Sequence, residues 1–191
     1  MGAGKTTELQ RFAERATIAK RKCLMIKYSE DTRYTTDAVV QTHAKRRYDG
    51  ETVACTKLAE ISDRVAEYDL LAIDEGQFFG DLNSFCREQA DGGMDIVVAA
   101  LDGNFKREGF EQVNLLYAAC ESVEKLSAIC VLCGDEASFT HRNISDQQEV
   151  LIGGMDLYQP VCRSCYCEKV TATNRARVDA ILAKYDGTGR E

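Results

Sequence analysis

Short apolar runs recur along this chain, separated by longer stretches whose residues favour helix. Three runs are nearly uninterrupted: Cys23-Leu24-Met25-Ile26-Lys27-Tyr28, Leu70-Leu71-Ala72-Ile73 and Ile96-Val97-Val98-Ala99-Ala100-Leu101. A strand with one wet face alternates apolar and polar residues, whereas a continuous run signals burial on both faces, as in a parallel sheet. Helix-forming stretches lie at residues 7–13, 58–67 and 82–89. Together these predict an α/β domain, a parallel sheet with helices on both faces, spanning residues 1–128.

Past Cys130 the pattern changes. Paired cysteines, Gly153-Gly154, the sole proline at Pro160 and the short alternating run Glu149-Val150-Leu151-Ile152 predict a small β-rich module over residues 129–170. Residues 176–185 read as a last helix within a C-terminal segment, 171–191, whose polar Asp186-Gly187-Thr188-Gly189 end is expected to fray.

Composition narrows the function classes. With 191 residues and 45% apolar content the chain can bury a core. A net charge of -7 disfavours a nucleic-acid partner, which calls for a basic face. No run has the length of a membrane span and no apolar leader core opens the chain, so the expectation is a soluble cytoplasmic protein with neither membrane nor nucleic-acid partner. The chain has nine cysteines, but their spacing suits metal better than disulfides.

Three motifs carry chemistry. Gly2-Ala3-Gly4-Lys5-Thr6-Thr7 is the back half of G-x-x-x-x-G-K-[ST]. In that loop backbone N–H groups point at phosphate oxygens, Lys5 adds positive charge, and the Thr6 hydroxyl can ligate Mg²⁺. The helix that follows presents its positive end to the same anion. Next, Leu70-Leu71-Ala72-Ile73-Asp74-Glu75 has the form of a Walker B strand. Asp74 would hold the magnesium and Glu75 would accept a proton from an attacking hydroxyl. Aromatics at Phe78 and Phe79 stand beside these acids, to stack a flat ligand or to fill core. Third, Cys130-x-x-Cys133 and Cys162-x-x-Cys165 offer four thiolates, the complete tetrahedral shell of a structural Zn²⁺ in a ribbon-like module. Cys167 falls outside that set, Cys23, Cys86 and Cys120 sit among apolar neighbours as core thiols, and Cys55 has no assignment.

Over most of its length the chain resembles the type II thymidine kinases, the cytosolic zinc-containing deoxynucleoside kinases. The resemblance rests on Gly4-Lys5-Thr6-Thr7-Glu8-Leu9, on Lys27-Tyr28-Ser29-Glu30-Asp31-Thr32-Arg33-Tyr34, and on Ile73-Asp74-Glu75-Gly76-Gln77-Phe78-Phe79. Ala99-Ala100-Leu101-Asp102-Gly103-Asn104-Phe105, the cysteine pairs and Ile152-Gly153-Gly154-x-Asp156-x-Tyr158 complete it in family order. It implies a RecA-like P-loop fold with a lasso-type lid, a homotetramer, and transfer of the terminal phosphate of ATP-Mg to the 5′-hydroxyl of thymidine or deoxyuridine in pyrimidine salvage for DNA synthesis. It places the catalytic base on Glu75, ATP and magnesium contacts on Gly2 to Thr7, Asp31, Arg33, Asp74 and Gln77, and nucleoside contacts on Met1, Phe78, Leu101, Phe105, Phe110, Leu151, Gly153 and Tyr158. The lid would be the segment 142–158, its ends held by the cysteine pairs.

Two other readings use the same motifs: a RecA-like ATPase with a zinc ribbon, and an inactive kinase copy serving as an assembly partner. The second is motivated by the start of the chain, where the loop's first glycine and the strand that should enter it are missing. Such a strand lies inside the sheet, so the expectation is that the chain does not fold alone and that the natural protein begins roughly ten or more residues earlier. Met1 would then be an internal methionine facing the nucleoside.

Overall fold

The computed structural model describes residues 2–31, 48–143, 157–169, 171 and 172. Its centre is a parallel sheet of β1 (Cys23–Tyr28), β2 (Thr52–Cys55), β3 (Leu70–Ile73) and β4 (Asp95–Val98), in the order β2-β1-β3-β4. The register sets Leu24 beside Leu71 and Leu71 beside Ile96. Successive residues point to opposite faces. Leu24, Ile26, Leu71 and Ile73 therefore join one core with Leu58, Ile61, Phe79, Leu82, Phe85 and Val113, while Cys23, Met25, Leu70 and Ala72 join another with Leu9, Ala13 and Ala16. The second core is the apolar stripe of α1 (Lys5–Ile18), and its alanines let helix and sheet come close. The first is covered by α2 (Leu82–Asp91) and α3 (Glu111–Leu116). Both faces of the central strands β1 and β3 are thus dry, as their continuous apolar runs require.

Several expectations are corrected. Residues 58–67 form two 3-10 turns, Leu58–Ile61 and Val65–Glu67, in place of one α-helix. Their buried anchors Leu58, Ile61 and Val65 keep a helical spacing, and i,i+3 neighbours superpose in 3-10 geometry as well. The Asp81 carboxylate fixes the tightened start, accepting from the N–H groups of Leu58 at 3.2 Å and Ala59 at 2.9 Å. β4 stops at Val98, short of the predicted 101. β2 was not anticipated, and it buries Cys55. Cys23 and Cys86 are buried as expected, and burial pushes the Cys86 thiol up to about 12. Cys120 is exposed: α3 ends at Leu116, so the apolar stretch that follows leaves the packed face before it reaches the cysteine. Phe79 is fully buried core and Phe78 is half-buried, its ring 5.3 Å from that of Tyr28.

The four described strands pair without a gap from β2 to β4. β2 and β4 are the outer strands, and beside β4 a groove of about 1420 Å³ runs between α1 and α3. Asp74 and Glu75 do not line that groove.

The cysteine-rich part has its own small core of Ala128, Cys130, Ala137, Val161 and Tyr166. It is built from the antiparallel pair β5 (Ala128–Ile129) and β6 (Glu136–Ala137), the antiparallel pair β7 (Phe139–Arg142) and β8 (Tyr158–Val161), and a helix at residues 163–169. The expected run at 149–152, the interior of the expected lid and the helix at 176–185 lie outside the described residues, as do Met1, Arg33, Leu151 and Gly153.

Candidate active site

The phosphate-loop half-motif folds as its residues dictate. Gly2 and Gly4 both take left-handed backbone angles, φ 70° and 81°, which an L side chain rarely adopts. Nothing lies within 4 Å of a Cβ added at either, so conformation and not space demands glycine there. The first bond of α1 runs from Glu8 N–H to the Gly4 carbonyl at 2.9 Å. The N–H groups of Lys5, Thr6 and Thr7 precede it and are left without intrahelical acceptors at the positive end of the helix dipole, the arrangement that binds anions.

The acids meet this loop at the C-terminal end of β3, where open α/β sheets bind ligands. The Thr6 hydroxyl donates to the Asp74 carboxylate, with 3.3 Å to each oxygen. Asp74 is buried, and desolvation together with the neighbouring Glu75 charge raises its pKa to about 7 against the pull of Lys5, the Glu75 backbone N–H and Thr6. A carboxyl so raised keeps its proton in the folded chain at pH values where the unfolded chain has released it. Stability from this group is therefore greatest near pH 4 and falls as pH rises towards about 7. Asp74→Asn, which cannot ionise, is expected to melt at a higher temperature than the parent at pH 8 without metal or nucleotide, the difference closing by pH 5. Calorimetry at both pH values checks it, and a less stable variant at pH 8 would contradict it.

Glu75 has φ 53° and ψ 44°, a left-handed conformation costing a non-glycine residue about 1–2 kcal/mol. Strain of this kind gathers at functional positions. Its neighbour Gly76 cannot carry a side chain, because a Cβ there would lie 2.6 Å from Val98 Cγ1. Gln77 then locks the carboxylate: its Nε2 donates to Glu75 Oε2 at 2.5 Å, while its Oε1 accepts from the Leu101 N–H at 2.9 Å. The resemblance placed Gln77 among the ATP and magnesium contacts; in the structure each end of its amide has a partner within the protein. One buried amide thus links an acid after β3 to a backbone donor after β4.

Asp31 is buried just beyond β1. Phe78, Leu101, Phe105, Phe110 and Tyr158 are each partly exposed. Phe105 sits in a loop closed by the Gly103–Gly109 bridge and organised by Asn104, whose Oδ1 accepts from the N–H groups of Lys106 and Glu108 at 2.9 and 3.0 Å.

Sulfur atoms of Cys130, Cys133, Cys162 and Cys165 all lie within 4.8 Å of one another. Bonds of about 2.3 Å to a tetrahedral zinc set sulfurs about 3.8 Å apart. The Cys133–Cys162 separation is 3.6 Å, so the donor set fits that ion. Burial raises the Cys130 pKa, but backbone N–H groups of Cys162, Leu132 and Cys133 overcome it and bring the thiol down to about 6. The first pair follows β5 in a tight turn. The second spans the junction of β8 with the helix at 163–169, so only the first knuckle sits in a β-hairpin. Cys167 is exposed and not part of the set.

A family model described as "Thymidine kinase" matches residues 1–166. Thymidine kinase 1 of Dictyostelium discoideum is 42% identical over 169 residues, covering 87% of this chain and 74% of its own length. The thymidine kinase of Variola virus is 43% identical, covering 88% of this chain and 93% of its own, and that of raccoon poxvirus is 45% identical, covering 87% and 92%.

Proposed function

Because this chain belongs to the thymidine kinase family, we propose that it phosphorylates thymidine, and deoxyuridine as well, at the 5′-hydroxyl with ATP-Mg as donor. The observation that carries the phosphoryl-transfer half is the convergence of three parts: the donor-rich start of α1, the Thr6–Asp74 contact, and Glu75 held by Gln77. The nucleoside half rests on family membership.

In this reading Gly2 to Thr7 cradle the β- and γ-phosphates, with Lys5 countering their charge. Bound Mg²⁺, for which Thr6 and Asp74 are the ligands proposed and Asp31 and Arg33 the neighbours, supplies charge neutralisation as the phosphoryl group transfers. Glu75 takes the proton of the 5′-hydroxyl as the new oxygen–phosphorus bond forms. The bond from the γ-phosphorus to the bridging oxygen breaks, and ADP leaves with that electron pair. Phe78, Leu101, Phe105, Phe110 and Tyr158 wall the nucleoside, joined by Met1, Leu151 and Gly153. A lid over residues 142–158 excludes water, which would otherwise take the phosphate. The four cysteines hold a structural Zn²⁺ that fixes the ends of that lid. Assembly as a homotetramer in the cytoplasm, serving pyrimidine salvage, completes the proposal.

Gln77 gives a test inside the machinery. Gln77→Met keeps the volume but removes the bond to Glu75 and the acceptor for the Leu101 N–H. A hydrogen bond to a charged group contributes about 1.5–3 kcal/mol, so kcat is expected to fall roughly ten- to a hundredfold with the ATP KM little changed. Steady-state kinetics decide it. An unaltered kcat would leave Glu75 positioned by something else.

A further inference from the structure

Phe105 and Tyr158 come from separate parts of the chain, one from the loop after β4 and one from the first position of β8. One side chain touches both. Arg142 ends β7 directly opposite Tyr158 in the register and is only 5% exposed. Its guanidinium carbon lies 3.8 Å from the centroid of the Phe105 ring and 5.1 Å from that of Tyr158, and Nη2 donates to the Tyr158 hydroxyl at 2.6 Å. A buried cation needs compensation, and aromatic faces and a phenol oxygen supply part of it. The Phe105 backbone is gripped as well: its carbonyl accepts from the Tyr166 hydroxyl at 2.7 Å. Tyr166 follows Cys165 in the helix at 163–169, and the Arg107 guanidinium lies 4.6 Å from its ring centroid.

We propose that Arg142 is a positioning residue for the nucleoside, bracing Phe105 and Tyr158 so that the aromatic walls are set before substrate arrives, with Tyr166 as the second tie to the cysteine-bearing module. The proposal rests on the thymidine kinase reading above. Arg142 need not touch substrate; it acts through two side chains that do. Without it those rings sample other rotamers and must be ordered on binding, which weakens affinity and leaves the chemistry alone. A planar guanidinium can lie over a ring and donate to a phenol at the same time, which an ammonium does less well.

The test is Arg142→Met, similar in length and uncharged, beside R142K and Y166F, each first shown to retain zinc and a sharp melt. R142M is expected to raise the thymidine KM, and the dissociation constant measured by calorimetry, about tenfold, with kcat and the ATP KM within about threefold. R142K should recover part of the affinity, and Y166F should lose about threefold by its own route. 4-Fluorophenylalanine at position 105 gives a readout that needs no turnover: in the absence of nucleoside its ¹⁹F signal should shift or broaden in R142M. Unchanged thymidine affinity in folded R142M, a fall in kcat at constant KM, full recovery in R142K, or an unmoved ¹⁹F signal would each overturn the proposal. If the parent protein neither binds nor phosphorylates thymidine, the functional reading fails, and the fluorine signal still decides whether Arg142 holds the Phe105 ring.

Discussion

Glu75→Gln is expected to lower kcat by roughly a hundred- to ten-thousandfold while thymidine affinity changes little. The substitution keeps the size of the side chain. Its carbonyl oxygen can still accept from Gln77 Nε2, so the group stays where the Gln77–Leu101 link puts it. The left-handed backbone at this position is equally available to glutamine. What is lost is the ability to take a proton from the attacking hydroxyl, which belongs to the transition state alone and therefore shows in kcat and not in KM. Turnover within a few-fold of the parent would remove Glu75 from the role of base and leave alignment of the two substrates as the main catalytic contribution.

Cys162→Ser should have the largest effect on structure. Free energies of zinc binding to small four-ligand modules are about 10–16 kcal/mol, well above what a core of a few side chains supplies. Here that core is Ala128, Cys130, Ala137, Val161 and Tyr166, and one of the five is itself a cluster cysteine. Loss of one sulfur should release the metal, unfold the module and, through Tyr166 and Arg142, free the Phe105 loop. Metal analysis is expected to find one zinc ion per chain in the parent and none in the variant, with nucleoside binding lost. Active parent protein without zinc would contradict this.

Much of the fold was legible because the central strands are buried on both faces. Cys23–Tyr28 and Leu70–Ile73 match the continuous apolar runs, and α1 follows the phosphate-loop motif as a helix should. The cysteine cluster was legible because a pair of ligands two residues apart is a local feature. β2 was not, since Thr52–Cys55 is a four-residue edge strand whose half-exposed pattern looks like the polar loops around it. Nor could pattern distinguish 3-10 turns from α-helix when the anchors Leu58, Ile61 and Val65 suit both. Glu75 was singled out by its place after an apolar run, yet the device that holds it was invisible: Gln77 works by meeting a backbone N–H that lies 24 residues further along the chain. Arg142 likewise carries no motif, and its meaning comes only from the rings that the fold brings to it.

The most direct measurement of the central claim is product analysis after zinc-loaded protein is incubated with Mg²⁺, ATP and thymidine. The account predicts thymidine 5′-monophosphate and ADP in equal amounts, the monophosphate of deoxyuridine from deoxyuridine, and none from purine nucleosides. ADP released without nucleoside monophosphate, or no turnover from folded, zinc-bearing protein, would contradict it.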